Sequence, residues 1–317
     1  MTSSLVSIVM PAHNEKDALP RVVPEVIRAA AGHHLEVLIV DDGSTDGTWK
    51  QIQALRQVYP EVQGLRFTRN FGHQAAILAG LVSARGEAVI VMDSDGQHPP
   101  ALITTFLDRW RAGHQVVQAI RAPERTWSFK TLASRLFYRV LHVLSGVDVP
   151  RGSADFRLLG RPVVDAVVQS AGPLLFLRGL VPYLGYDAAL VPFTAPPRVA
   201  GRTSYTWRKM VRLSLDGLMS FSIVPLRMAI ALGLLISIVS FLYLAYSVVI
   251  WFTARGVVPG WASTVGMLSL LGGIQLLTIG VIGEYLGRLF LSNLNRPAFV
   301  ISERTRPIRE RVPAGLP

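Results

Sequence analysis

The sequence predicts an α/β domain with a mostly parallel sheet covered by helices on both faces, followed by two membrane-spanning helices. Short apolar runs alternate with helical segments as far as residue 112, which is typical of parallel strands joined by helical crossovers. Acidic or amide side chains follow the ends of three of these runs. Near the C-terminus, residues 228–254 and 256–283 contain no charged side chain.

The strands and helices of the first domain follow in a regular order. Runs rich in β-branched residues predict strands at 5–10, 35–40, 62–67 and 88–92. The segments between and after them suit helices at 18–31, 47–59, 74–84 and 100–112. Beyond residue 115 the pattern is weaker, and helices are expected at 128–144, 163–169 and 205–221. The last of these alternates basic and apolar residues, which is typical of a helix lying in a membrane surface.

Both uncharged runs are longer than the ~20 residues that a helix needs to cross a bilayer. We expect the two spans at about 228–252 and 262–283. Basic residues crowd before the first run and after the second, whereas the connector has only Arg255. By the positive-inside rule, the N-terminal domain and both termini of this integral membrane protein then lie in the cytoplasm.

The composition is typical of a protein in contact with a lipid bilayer. Only 17% of the residues are charged, against about 25% in soluble domains. A net charge of +11 is compatible with binding to nucleic acid, to anionic substrates or to an anionic membrane surface. The basic clusters beside the apolar runs favour the membrane surface over nucleic acid. The chain divides into an N-terminal domain (1–204), an amphipathic interfacial region (205–227), two membrane helices (228–290) and a basic tail (291–317).

A D-x-D segment directly follows the predicted strand 88–92. On an extended segment alternate side chains point the same way, so Asp93, Asp95 and Gln97 could converge on one cation. Mg²⁺ prefers oxygen ligands and commonly bridges a carboxylate to substrate phosphates. Aspartate pairs at strand ends also cap turns, but the polar residues after two other strands favour a metal site here.

Other common site types are absent from the sequence. No G-x-G-x-x-G follows a strand and no P-loop motif occurs, which disfavours dinucleotide-dependent enzymes and P-loop enzymes. The chain has no cysteine, which excludes disulfides and thiolate metal sites.

Several motifs together resemble family 2 glycosyltransferases, which have a Rossmann-like GT-A fold. These motifs are PAHNE (11–15), DDGSTD (41–46), RNFGHQAAILAGL (69–81) and DSDGQHPP (93–100). Later motifs resemble the branch of dolichyl-phosphate mannose synthase and bacterial polyprenyl-phosphate glycosyltransferases, which carries two C-terminal membrane helices. They are ADFRLL (154–159), FLRGL (176–180), SFSIVPLR (220–227) and GEYLGRLF (283–290).

This resemblance implies an activity, a cofactor and partners. The reaction would transfer a sugar from a UDP- or GDP-linked donor to a polyprenyl phosphate, with Mg²⁺ or Mn²⁺ as cofactor. Undecaprenyl phosphate is the expected acceptor, at the cytoplasmic face of a bacterial inner membrane. In-line attack by the acceptor phosphate would invert the configuration of the anomeric carbon. A homo-oligomer is a further expectation, because two spans leave surface for packing.

The resemblance also implies roles for individual residues. The nucleotide pocket would be lined by Pro11, Asn14, Glu15, Asp42 and Asp93. The metal would be held by Asp93, Asp95 and Gln97, and the catalytic residues would be Asp155 and Asp95. The phosphate groups of donor and acceptor would contact Arg121, Lys130, Ser134 and Arg198. Ser204 stands where many relatives carry lysine, so Arg202 could supply that contact, and Gly96 stands where relatives usually carry leucine.

Each role has a structural alternative. Asn14 and Glu15 could cap the helix that follows them, and Asp42 could anchor the turn after its strand. Asp155 could be the buried partner of Arg157 or Arg151, and the basic residues could be ordinary solvated charges. The histidines lack metal-ligand spacing, so most of them are expected to be structural or on the surface.

Two other functions compete with lipid glycosylation. A processive polysaccharide synthase would need more spans and usually a Q-x-x-R-W motif, which does not occur. A non-catalytic membrane scaffold that binds sugar nucleotides would not need the complete acidic set.

Overall fold

The computed structural model describes residues 4–122, 150, 152–170, 177–194, 196, 224–253, 260–294 and 296–305. The chain divides into two compact units. The described residues up to 196, together with 296–305, belong to the first unit, and the two long helices belong to the second. The helices expected at 128–144 and 205–221 lie outside the described residues.

Strands and helices alternate through the first unit, as predicted. Its described strands are β1 Leu5–Ala12, β2 His34–Asp41, β3 Val62–Phe67, β4 Ala88–Val91, β5 Val116–Arg121, β6 Ser153–Gly160, β7 Ala188–Phe193 and β8 Ile301–Arg304. Its described helices are α1 Leu19–Ala29, α2 Thr48–Val58, α3 His73–Ser83, α4 Leu102–Arg111, α5 Arg161–Ser170 and α6 Leu177–Tyr183. All eight expected strands and helices up to residue 112 start and end within two residues of the predicted positions.

The strands form one mixed sheet in the order β7-β5-β6-β4-β1-β2-β3-β8. Strand β1 pairs in parallel with β2 and β4, β2 with β3, and β5 with β7. Strand β6 runs antiparallel to both of its neighbours, and β8 runs antiparallel to β3. The C-terminal ends of β1, β2, β4 and β5 and the first half of β6 therefore lie at one edge of the sheet, here called the carboxyl edge.

Helices cover both faces of the sheet, which explains why its central strands read as continuous apolar runs. Ile8 and Met10 of β1 pack into one layer with residues of α1, α2 and α4. Val9, between them, packs into the opposite layer with residues of α3, α5 and α6. These observations confirm the predicted α/β fold with a mostly parallel sheet.

Helix α3 lies unusually close to the sheet. A Cβ atom added to Gly80 would lie 2.1 Å from Cγ1 of Val9 on β1, which no real side chain could tolerate. Glycine at this position therefore allows α3 to pack directly on β1. This contact sets the distance between α3 and the sheet, and the first turn of α3 lies at the carboxyl edge.

The sequence pattern predicts only a tail over residues 291–317, but four of those residues form β8. Strand β8 covers the edge of β3, and covered edges resist pairing with other chains. The Glu303 carboxylate accepts hydrogen bonds from Trp49 Nε1 at 2.9 Å and from Arg66 Nη1 at 2.6 Å. Just before β8, the ring of Phe299 stacks on Phe67 with centroids 5.3 Å apart.

The second unit contains two long helices, α7 (Val224–Thr253) and α8 (Trp261–Asn293). Among the described residues, one helical segment is long and apolar enough to cross a membrane, Gly266–Leu291, with a mean hydropathy of 1.8. A shorter apolar segment, Ala229–Tyr243, lies in α7. By length and composition, membrane association thus has one candidate span, and the second span remains a prediction.

We predict that Phe299→Ala lowers the free energy of unfolding of the first unit by about 1–3 kcal/mol, because a partly buried aromatic contact is lost. Val300→Ala is the matched control, since it also shortens an apolar side chain just before β8, but one that is 41% exposed. Its effect should be smaller. Thermal unfolding of the full chain in detergent measures both. Equal effects would mean that the ring stacking does not anchor β8.

Candidate active site

Acidic side chains from several elements meet at the carboxyl edge. Asp155 lies on β6 and is 3% exposed, and Asp95 follows β4 and is 6% exposed. Asp93, also after β4, keeps 28% of its side chain exposed. Asp42, at the end of β2, is 3% exposed. Buried carboxylates are costly without partners, so the groups around each of them indicate what it can do.

Asp155 is held by two arginines. Arg157 Nη2 donates to Oδ1 at 2.9 Å, and Arg178 donates from Nη2 to Oδ2 at 2.8 Å and from Nε to both oxygens. His73 Nε2 lies 3.5 Å from Oδ2. The expected alternative of a buried pair with Arg157 is therefore present, while Arg151 lies outside the described residues. Arg178, in the FLRGL motif, is a partner that the sequence analysis did not identify.

The ion pairs keep Asp155 charged. Burial alone would raise its pKa, but the hydrogen bond with His73 and the charges of Arg178 and Arg157 outweigh it. Together they hold the pKa of the Asp155 carboxyl well below its ordinary value. A carboxylate with such a low pKa is a poor proton acceptor at neutral pH, so its surroundings suit an orienting role better than that of a general base.

His73 connects two of the acidic residues. It is the first residue of α3, and its Nε2 lies 3.4 Å from Asp93 Oδ1 and 3.5 Å from Asp155 Oδ2. Packing around the ring opposes protonation, but the hydrogen bond with Asp155 and the charges of Asp93 and Asp155 outweigh it and raise the pKa of His73. From the sequence, His73 is among the histidines expected to be structural or on the surface, whereas the structure places its ring between two acidic candidates of the predicted site. Its only sequence signal is its place in the RNFGHQ motif.

Asp42 fixes the loop that leads into α3. Its Oδ1 accepts a hydrogen bond from the Phe71 amide at 2.7 Å, and its Oδ2 accepts one from the Gly72 amide at 3.0 Å. The turn after β2 is anchored instead by Asp41, whose Oδ1 accepts from the Ser44 amide at 2.9 Å. Asp42 therefore does not anchor that turn with its side chain, and its proposed contact with the nucleotide remains a prediction.

Asn14 ties the loop after β1 to the loop after β2. Its amide donates to Ser44 Oγ at 2.9 Å, and its Oδ1 accepts from the Thr45 amide at 3.0 Å. Helix α1 has Ala18 at its N-cap position and no side-chain cap, so capping by Asn14 or Glu15 is wrong as an alternative. Both residues instead lie in a loop at the carboxyl edge.

Pro11 lies beside the D-x-D segment. Its carbonyl accepts a hydrogen bond from Ser94 Oγ at 2.8 Å. The end of β1 is thereby joined to the loop after β4, which is where the resemblance placed the nucleotide pocket.

The D-x-D segment is not extended. Strand β4 ends at Val91, the chain bends over residues 94–96, and Gly96 has a φ of +80°. The alternation expected for Asp93, Asp95 and Gln97 therefore does not apply, because it requires strand geometry. The positive φ explains the glycine, since a leucine in this backbone conformation would be strained. Asp95 Oδ1 accepts the Gln97 amide at 2.9 Å, which closes the bend.

His98 is a buried residue that contacts the D-x-D segment. Its ring is 1% exposed and stacks on Phe156 with centroids 4.9 Å apart. Its Nδ1 accepts the Asp93 amide at 2.9 Å, which leaves the proton on Nε2, 3.6 Å from Asp93 Oδ2. Burial lowers the pKa of His98, so the ring is neutral at physiological pH.

Arg121 is the phosphate-contact candidate that the structure describes. It ends β5, is exposed, and its Nη2 donates to Gln97 Oε1 at 3.3 Å. It thus lies beside the D-x-D segment, as a donor-phosphate ligand would require. The other four candidates, Lys130, Ser134, Arg198 and Arg202, lie outside the described residues.

Comparison with known proteins identifies the family. Residues 7–167 match the family described as Glycosyl transferase family 2, and residues 224–289 match the GtrB C-terminal hairpin. The chain belongs to glycosyl transferase family 2. This membership also makes it a glycosyltransferase by class, as the sequence predicted.

Relatives of this family 2 glycosyltransferase match along nearly its whole length. An uncharacterized glycosyltransferase of Synechocystis sp. is 36% identical over 302 residues, which cover 94% of this chain and 95% of that protein. The bactoprenol glucosyl transferase of Shigella phage SfII is 34% identical over 304 residues, covering 95% and 98%. Glucosyl-3-phosphoglycerate synthase from Mycobacterium tuberculosis is 19% identical, with a TM-score of 0.47 over 68% of this chain and 78% of that one.

We predict that Asp155→Asn lowers the free energy of unfolding by about 3 kcal/mol or more at neutral pH, because two arginines lose their buried partner. A carboxyl whose pKa is lower in the folded protein than in the unfolded one stabilises the fold at pH values above its unfolded pKa. That stabilisation is lost as the pH falls through the folded pKa. The difference from the unsubstituted protein should thus not shrink between neutral pH and about pH 5, where it also includes the lost raise in the pKa of His73, and it should shrink below about pH 4.

Thermal unfolding at several pH values measures this difference. Asp165→Asn, which removes an exposed carboxylate 3.5 Å from Arg161, is the control and should change little. A difference that already shrinks between neutral pH and about pH 5 would contradict the low pKa of Asp155.

Proposed function

We propose that this family 2 glycosyltransferase transfers a sugar from a nucleotide-sugar donor to a polyprenyl phosphate, with inversion at the anomeric carbon. The observation that carries the proposal is the match to bactoprenol glucosyl transferases over 95% of the chain, which includes the C-terminal helices. The fold alone would not distinguish this acceptor from others, because one fold serves many substrates.

The donor side of the reaction suits the residues after β4. Asp93, Asp95 and Gln97 offer only oxygen ligands, which are the ligands that Mg²⁺ prefers. Asp93 keeps 28% of its side chain exposed, and its Oδ1 accepts no hydrogen bond among the described residues although His73 Nε2 lies 3.4 Å away, so the carboxylate can still take a cation. The donor set therefore fits a divalent cation, although among the described side chains no group of three or more His, Cys, Asp or Glu is arranged to hold one. Such an ion, Mg²⁺ or Mn²⁺, would neutralise the diphosphate leaving group.

The residues around the metal candidates would bind the rest of the donor. Pro11, Asn14, Glu15 and Asp42 belong to the loops at the carboxyl edge, where ligands of open α/β sheets bind. Arg121, exposed and next to Gln97, would contact phosphate oxygens through its forked guanidinium. Lys130, Ser134, Arg198 and Arg202 complete the proposed phosphate contacts.

The acceptor needs little help from a base. A phosphate monoester has a second pKa of about 6, so a polyprenyl phosphate is mostly dianionic at neutral pH and is already a nucleophile. Asp155, ionised and held by Arg157 and Arg178, would orient neighbouring groups and would not take a proton. The catalytic work of this chain is then to hold two anionic substrates in line.

The C-terminal helices would keep the enzyme at the membrane that contains the acceptor. The match to the GtrB C-terminal hairpin supports two spans, with the catalytic domain and both termini in the cytoplasm. The same match favours the polyprenyl-phosphate branch over a processive synthase. We propose a bacterial inner membrane as the location and undecaprenyl phosphate as the acceptor.

A transfer assay tests this proposal. The full chain in detergent would receive undecaprenyl phosphate, Mg²⁺ or Mn²⁺, and a panel of radiolabelled UDP- and GDP-sugars, and label in the organic phase would be counted. We expect label from one donor, its loss with EDTA, and none with undecaprenol, which lacks the phosphate. Label that persists in EDTA would remove the metal from the mechanism, and absence of label from every donor would contradict the proposed acceptor.

We further predict that Asp95→Asn lowers transfer by about 100-fold or more, because a carboxylate ligand of the cation is lost. Asp108→Asn is the matched control, since that carboxylate is exposed on α4 and lies 3.4 Å from Arg111, away from the carboxyl edge. The same assay measures both variants. Full activity of Asp95→Asn would remove Asp95 from the metal site.

A further inference from the structure

We propose that His73 is a positioning residue that sets the direction of the Asp93 carboxylate by linking it to Asp155. This inference rests on the proposed function, because it assigns Asp93 to donor binding. The Nε2 atom of His73 lies 3.4 Å from Asp93 Oδ1 and 3.5 Å from Asp155 Oδ2, so one nitrogen faces both carboxylates.

The two carboxylates differ in how firmly they are held. Asp155 is fixed by Arg157 and Arg178 through hydrogen bonds of 2.8–3.1 Å and is nearly inaccessible to solvent. Asp93 is 28% exposed, follows the end of β4, and its Oδ1 has no hydrogen-bond partner among the described residues. A group that faces both can therefore transmit the fixed position of Asp155 to Asp93.

The position of His73 is itself well determined. The two amides just before it, those of Phe71 and Gly72, donate to the buried Asp42 carboxylate. Seven residues further along α3, Gly80 packs directly on Val9 of β1. The helix is thus held at its start and in its body, which fixes the backbone position from which the imidazole extends. A rigid supporting group of this kind keeps a ligand in its productive geometry.

An imidazole also reduces the cost of bringing two carboxylates to the same place. Like charges close together repel strongly where little water is present. The imidazole nitrogen lies 3.4 Å from Asp93 Oδ1 and 3.5 Å from Asp155 Oδ2, so the ring separates the two charges. Loss of His73 should therefore let Asp93 turn away from Asp155, which would disturb the donor without unfolding the domain.

The test compares three substitutions in the full chain in detergent. His73→Ala removes the imidazole. His73→Gln places an amide nitrogen near the position of Nε2, whereas the amide of His73→Asn reaches only to the position of Nδ1. His34→Gln, an exposed histidine at the start of β2 and therefore at the opposite edge of the sheet, is the control. We expect His73→Ala to lower kcat by about 10–100-fold, as for other supporting residues of metal ligands.

Two further outcomes separate positioning from a general structural role. Without a metal ion, the affinity of His73→Ala for UDP or GDP should change by less than about threefold, because the nucleotide's other contacts remain. His73→Gln should recover most of the lost kcat, whereas His73→Asn should not. Equal loss in the glutamine and asparagine variants, or unchanged kcat in the alanine variant, would overturn the proposal.

Two measurements do not depend on the acceptor. Calorimetry of UDP and GDP binding, with and without Mn²⁺, should show that His73→Ala reduces the gain in affinity from the metal. The melting temperatures of His73→Ala, Asp93→Asn and the double variant should be non-additive, because contacting residues couple. Additive shifts together with an unchanged Mn²⁺ effect would overturn the role of His73. Absence of transfer by the unsubstituted protein would instead overturn only the proposed acceptor.

Discussion

The buried carboxylate of Asp155 holds together parts of the chain that are far apart in sequence. It lies on β6, receives hydrogen bonds from Arg157 on the same strand and Arg178 on α6, and faces His73 at the start of α3. A single unpaired charge at this depth would be unstable, so the cluster forms as a unit or not at all. The D-x-D segment after β4 lies against this unit through His73, and the proposed chemistry depends on that contact.

Much of the fold could be predicted from the sequence, because burial on both faces leaves a strong signal. Strands such as Leu5–Ala12 and His34–Asp41 are continuous apolar runs, and polar residues follow where each run meets the carboxyl edge. The resemblance to family 2 glycosyltransferases came from the same edge, since the motifs there combine turn residues with acidic and amide side chains. Membership of that family is confirmed by the comparisons.

The features that the sequence did not predict depend on long-range contacts. Strand β8 is four residues long and mostly exposed. It forms because the edge of β3 can pair with it and because the Glu303 carboxylate accepts hydrogen bonds from Trp49 and Arg66. The bend at Gly96 replaces the expected extended segment, because Asp95 bonds the Gln97 amide instead of continuing β4. His73 has no spacing that marks it as a site residue, and only the packing of α3 brings it to Asp93 and Asp155.

The most direct test of this account is to locate Mn²⁺ by anomalous scattering in crystals of the full chain grown with the nucleoside diphosphate of its donor. We expect one peak within coordination distance of the Asp93 and Asp95 carboxylates and of the diphosphate, with His73 still between Asp93 and Asp155. A peak bound elsewhere on the chain, or a diphosphate bound away from the carboxyl edge, would contradict the assignment of this acidic cluster as the donor site.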